Sequence, residues 1–120
     1  MQYNDISFNA GMSIIIDDTF LIADKNLDFE IISALIRVVM ELDVNTYVYT
    51  TKRRKKNIER RIDLLDLPVK YLLYPEDLDV VLKGHSVKFF TKDPELSAKY
   101  KQAVQLHNME EVYKYLIAEL

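Results

Sequence analysis

The chain's first clear pattern is Ser13-Ile14-Ile15-Ile16, an unbroken β-branched run that stops at Asp17-Asp18-Thr19. A short apolar stretch without alternation predicts a central strand covered on both faces, here with acidic groups at its carboxyl end. From Leu27 to Leu42 the period changes, and Leu27, Ile31, Ile32, Leu35, Val38, Val39 and Leu42 recur at helical spacing. Asp28 and Glu30 stand in the first turn, where the positive end of the helix dipole favours them. Thr46 to Thr51 is rich in β-formers and predicts a second strand. The basic run Lys52 to Lys56 then opens a second helix, whose buried stripe is Ile58, Ile62 and Leu65 with Leu67 as its continuation. Pro68 ends it.

The same rhythm continues to the end of the chain. Val69 to Tyr74 predicts a third strand stopped by Pro75, and Glu76 to Lys83 a short helix with Gly84 as a left-handed cap. Ser86 to Thr91 predicts a fourth strand, Pro94 to Gln102 a helix with proline in its first turn, and Val104 to Leu106 a very short fifth strand. Met109 to Leu120 predicts a terminal helix. Residues 1–11 carry no strong period and read as a loosely organised lead-in, with Ile6 to Phe8 the one stretch suited to a leading strand. Strands alternating with helices at these lengths predict a single α/β domain over residues 1–120. Its architecture is three-layer and Rossmann-like, with a mostly parallel sheet of about five strands and helices on both faces.

Composition narrows the chemistry. The 120 residues are 49% hydrophobic, enough to bury one core without covalent staples. There is no cysteine, which excludes disulfides, thiolate metal sites and cysteine nucleophiles together. The only two glycines are Gly11 and Gly84, so glycine-rich phosphate loops of the Walker or dinucleotide type are excluded. A net charge of -3 disfavours general nucleic-acid binding. The N-terminus lacks the basic start and apolar run of a signal peptide, and no apolar stretch approaches the roughly 20 residues that span a bilayer. A cytoplasmic protein with no membrane association is the expectation.

Open α/β sheets place their sites at the carboxyl ends of the strands, and three such ends carry reactive groups here. Asp17 and Asp18 end the first strand, where burial would be costly unless a cation or hydrogen bonds compensated. They read either as an ion or phosphate site or as a solvated turn. Thr50 and Thr51 precede a helix N-terminus and the Lys52 to Lys56 charges, a combination suited to an anion. That basic run, with Arg53 and Arg54, reads equally as a solvated face or as a docking patch for an acidic partner. Asp93 ends the fourth strand on the same rim. His85 and His107 lack companions at metal-ligand spacing and read as ordinary polar residues. Tyr47, Tyr49, Tyr71 and Tyr74 on adjacent strands suit packing beneath helices or, near strand ends, an interface. Tyr113 and Tyr115 point to different faces of the last helix, so at least one is expected to be exposed.

These three strand ends resemble the haloacid dehalogenase-like superfamily of phosphatases and phosphotransferases, over nearly everything after Gly11. In that family a strand ends in an Asp-x-Asp-x-Thr-like motif, and Ile14-Ile15-Ile16-Asp17-Asp18-Thr19-Phe20-Leu21 is similar to it. The family's second strand ends in a phosphoryl-binding Ser or Thr, which Tyr47-Val48-Tyr49-Thr50-Thr51 followed by Lys52-Arg53 resembles. The resemblance implies catalytic roles for Asp17, Asp18 and Thr19, phosphate binding by Thr50, Thr51 and Lys52, and magnesium held by Asp17 and Asp93. It also implies that the first strand lies between the second and fourth.

The departures from the family's pattern are specific. The two acids are adjacent rather than two residues apart, so Thr19 takes the acid/base position if Asp17 is the nucleophile, and Ile16 takes the nucleophile position if Asp18 is the second acid. Glu76-Asp77 stands where a basic residue belongs, and Thr91-Lys92-Asp93 offers one acid where the family has a pair. Lys92 disfavours a cation there. The expectation is a small capless domain with degraded phosphotransfer motifs that works by binding a protein partner or a second copy of itself. The alternative is a working magnesium-dependent phosphatase in which Asp17 attacks phosphorus. Asp17-Asp18 also resembles the metal-binding pair of response-regulator receiver domains, whose first strand lies between the second and third. Tyr74 and His107 occupy the places of that family's phosphoacceptor and lysine.

Overall fold

The structure, a computed structural model, describes residues 12–22, 28–83 and 87–119. The leading strand expected at Ile6 to Phe8 and the cap expected at Gly84 lie outside these residues. Strand β1 (Ser13–Asp17) is buried at every position, as its unbroken apolar run requires of a central strand. It pairs in parallel with β2 (Asn45–Tyr49) on one side and β4 (Val87–Thr91) on the other. Strand β3 (Val69–Leu73) lies outside β2, and β5 (Ala103–Gln105) lies outside β4, which gives a parallel sheet in the order β3-β2-β1-β4-β5. The first strand thus lies between the second and fourth. A receiver-like order, which would set β1 beside β3, is not the one adopted.

The two-residue period of the strands sorts side chains into two cores. Ile14 and Ile16 face α2 (Phe29–Glu41), α3 (Lys55–Leu65) and α6 (Met109–Glu119), whereas Ile15 faces α4 (Pro75–Val81) and the residues around α5 (Pro94–Lys99). A single turn, α1 (Thr19–Ile22), follows β1 and buries Phe20 and Leu21. Four residues are too few to show a helical period, so the turn left no signal in the sequence. On the β3 edge the register slips between Thr46 and Tyr47, whose partners are Val69 and Tyr71. The extra residue is Lys70, and the slip sets Val69 against the same core as Leu72 while leaving Lys70 exposed on the edge strand.

Helix ends follow the sequence with small shifts. Asp28 caps α2 by accepting from Glu30 N at 2.9 Å. Residues 52–54 form a turn, so α3 starts at Lys55 rather than with the basic run. Among the described residues the left-handed positions fall to Asp43 at φ 56° and Asp66 at φ 53°. Aspartate is among the few residues that tolerate that region. Tyr47 is fully buried and stacks with Tyr71 at 6.1 Å between ring centroids. Neither Tyr113 nor Tyr115 is exposed, contrary to the helical-face expectation. Helix α6 packs both against α2 and over β4, where Tyr115 meets the Phe90 ring edge-on at 5.3 Å, so it buries more than one stripe. Among the described residues no helix is long and apolar enough to cross a membrane.

Leu116 is fully buried between α6 and the sheet, whereas its neighbour Ile117 is 48% exposed. Leu116→Ala is expected to cost about 2–5 kcal/mol in urea unfolding, and Ile117→Ala no more than about 0.5 kcal/mol.

Candidate functional site

Adjacent connections of the sheet diverge at β1. The chain leaves β1 towards β2 and β3 and returns from β3 across to β4, which makes the carboxyl ends of β1 and β4 a topological switch point. Asp17 stands there. Because Ile16 is in register with Phe90, the next residues along, Asp17 and Thr91, fall side by side. The Thr91 hydroxyl donates to Asp17 Oδ2 at 2.7 Å, and the Thr19 backbone N–H donates to Asp17 Oδ1 at 3.2 Å.

Asp18 is the first residue past the strand, and its own N–H continues the ladder by donating to the Tyr49 carbonyl at 2.9 Å. Its side chain meets the end of β2 rather than that of β4. There the Thr50 hydroxyl donates to Asp18 Oδ2 at 2.7 Å, and Arg54 Nε lies 2.9 Å from the same oxygen. The Arg54 N–H is not aligned on that oxygen, so the contact is an ion pair without a formed hydrogen bond. Asp18 Oδ1 is buried and accepts no hydrogen bond.

Both carboxylates are therefore inside the protein, Asp17 at 4% exposure and Asp18 at none. Desolvation dominates at Asp18 and pushes its carboxyl above the usual aspartate value. The Thr50 hydrogen bond and the Arg54 charge pull the other way, and the neighbouring Asp17 raises it further. Tyr49, beside the pair, has its phenol pushed up by burial first and by the Asp17 charge second.

The other residues expected at this rim are turned to separate tasks. Thr51 lines an open depression of about 530 Å³ with Arg53 and Arg54, at the start of α3. Lys52 is directed towards α4, with Nζ 3.7 Å from Glu76 Oε1 and 5.9 Å from the Tyr74 ring centroid. The set Thr50, Thr51 and Lys52 is thus divided among an aspartate, a surface depression and an acidic helix. Asp93 is exposed, and its carboxylate caps α5 by accepting from Glu95 N at 2.9 Å. Lys92 places Nζ 5.4 Å from the centroid of the Phe20 ring.

The pair expected to hold magnesium is not presented as two free carboxylates: each Asp17 oxygen already accepts one hydrogen bond and the Asp93 carboxylate caps α5, whereas a hard cation takes several oxygen ligands. Among the described residues no three His, Asp or Glu side chains gather as a metal site. Two contributors escaped sequence reasoning, Thr91 as the partner of Asp17 and Arg54 as the partner of Asp18. Thr91 was within reach, since a strand order with β4 beside β1 sets the ends of those strands together. Arg54 carried no such signal.

The raised Asp18 value has a definite sign for stability. The folded state holds the proton to higher pH than the unfolded chain, so stability is greatest below the unfolded aspartate value of about 3.9 and falls as pH rises from there through the folded value. Asp18→Asn cannot ionise. Its urea midpoint, measured from pH 4 to pH 7, is expected to lack the decline contributed by Asp18 and so to gain on the parent protein as pH rises.

No protein-family model matches this chain, and neither a curated protein nor a solved structure matches it.

Proposed function

We propose that the chain is a haloacid dehalogenase-like domain whose phosphotransfer motifs have been turned to structural use, and that it works by binding a protein partner. The observation that carries this reading is the closure of the acidic pair by neighbouring hydroxyls, Thr91 on Asp17 and Thr50 on Asp18. A nucleophilic carboxylate must present an oxygen to phosphorus along an open approach, whereas Asp17 is 4% exposed and is held by a hydrogen bond on each oxygen. Thr19, at the position that would protonate the leaving group, has a hydroxyl that does not ionise near neutral pH. Loss of acid/base assistance alone costs on the order of 10²-fold to 10⁴-fold in rate. The strand order and the switch-point location of Asp17 support the family part of the reading.

The test is hydrolysis of aryl phosphates by the purified protein with magnesium present, run beside Asp17→Asn as the control. The parent protein is expected to show no turnover above that control, and calorimetry with magnesium chloride is expected to show no binding tighter than millimolar. Robust hydrolysis that Asp17→Asn abolishes, with the fold retained by circular dichroism, would overturn the reading in favour of a phosphatase with Asp17 at its centre.

A further inference from the structure

Helix α3 is charged against its own dipole. The run Lys52 to Lys56 gathers at its amino end with no acidic residue in the first turn, and Asp63 and Asp66 stand at its carboxyl end. Each arrangement is unfavourable to an isolated helix. Helices α2, α4, α5 and α6 all carry acids in their first turns. With Arg60 and Arg61 included, this one segment holds nearly half of the chain's 16 basic residues, in a protein of net charge -3.

The charges are also sorted by flank. Asn57, Arg60, Arg61 and Leu64 recur at spacings of three and four and so line one side of the helix, with Arg53 in the turn before it, while Glu59 and Asp63 fall on the other side. Among the described residues, none of Arg53, Lys56, Arg60 and Arg61 forms an ion pair. Lys56 and Arg60 are like charges at i and i+4, a further local cost. Between this flank and α1 lies a depression of about 360 Å³ lined by Ile22, Asn57, Arg60, Arg61 and Leu64. Its apolar wall is open to solvent, with Leu64 67% exposed.

From this charge complementarity we infer that the flank of α3 facing α1 docks an acidic, amphipathic peptide segment of a partner protein. An aliphatic side chain of that segment seats against Leu64 and Ile22, and its carboxylates meet the Arg60 and Arg61 guanidiniums. Arginine suits this role because its planar fork takes a carboxylate in two parallel hydrogen bonds. A bound acidic segment would also offset the repulsion between Lys56 and Arg60. A nucleic acid is the poorer fit, since no aromatic side chain among the described residues lines the depression to stack a base and the apolar wall has no phosphate to meet. The inference rests on the reading that the domain works through binding, and it names the surface and the partner's chemistry.

Fluorescence anisotropy tests it with a labelled peptide of alternating Glu-Glu and Leu-Leu pairs. The controls are the same peptide with Gln for Glu and a labelled oligothymidylate. Saturable binding of the acidic peptide is expected, weakened about tenfold or more by Arg60→Glu with Arg61→Glu and several-fold by Leu64→Ser. All are surface changes, and circular dichroism checks that the fold is kept. Absence of binding by the parent protein, binding that survives the double charge reversal, or equal binding of the Gln peptide would each overturn the proposal. Oligothymidylate bound as tightly as the peptide, with no loss in Leu64→Ser, would overturn it in favour of a generic polyanion surface. A concentration-dependent dimer abolished by Arg60→Glu would overturn it in favour of a second copy of the chain. Aryl phosphate hydrolysis on the same samples separates the two readings: turnover sinks the proposed function, whereas failed peptide binding without turnover sinks only this surface.

Discussion

The rest of the molecule is arranged around two adjacent carboxylates inserted into the end of its most buried strand. An ionised carboxylate taken out of water costs several kcal/mol unless charge or hydrogen bonds compensate, and Asp17 and Asp18 lie side by side. Compensation comes from both directions of the sheet at once. Thr91 at the end of β4 takes Asp17, and Thr50 at the end of β2 takes Asp18, with Arg54 as the cation in contact among the described residues. This polar clamp ties the three central strands together at their carboxyl ends, where a parallel sheet has no hairpins to hold it. Each of the two buried carboxylates is thereby tied to a strand that is its neighbour in space but distant in sequence.

The two faces of the sheet are covered unequally. One face carries helices of 13, 11 and 11 residues, the other helices of 7 and 6 residues. Short helices cannot shield a sheet with aliphatic side chains alone, and the thin face is filled by aromatics. Tyr47 stacks with Tyr71, and Phe89 meets Tyr49 and Tyr100 edge-on at 5.5 and 6.5 Å. Polar ties then close the gap between the two short helices. Tyr100 donates to Asp79 at 2.6 Å, a bond that with some burial pushes its phenol up to about 12, and the Gln102 amide donates to the Leu82 carbonyl. Tyr47, Tyr49, Tyr71 and Tyr100 are thus accounted for by the geometry of one layer.

Charge is distributed with the same economy, except on α3. Its amino-terminal cations do one structural task through Arg54, which reaches back to Asp18. Further along, Arg60 and Arg61 line a depression beside the exposed Leu64 and form no ion pair among the described residues, so the segment that sets Arg54 against the buried acid at its start presents unmatched basic charge along its length.

Periodicity along the chain determined the element types, their order and the central place of Ser13 to Ile16, because apolar spacing reports local backbone form and the face each residue must bury. The acidic residues at the end of β1 and the scarcity of glycine were equally plain, and with them the absence of a glycine-rich phosphate loop. Tertiary structure decided what the polar groups do. Thr50 and Asp18 are 32 residues apart and Thr91 and Asp17 are 74 apart, so their meeting depends on strand order and register, which no local pattern records. The resemblance gave Asp93 a place at a magnesium site; in the fold the chain turns there into α5, and the carboxylate caps that helix. Lys52 stood beside two threonines in sequence, but an acidic helix beside β3 offered its ammonium a nearer partner. A residue's type and strand position are local properties, whereas its hydrogen-bond partner belongs to whichever distant segment folding sets beside it.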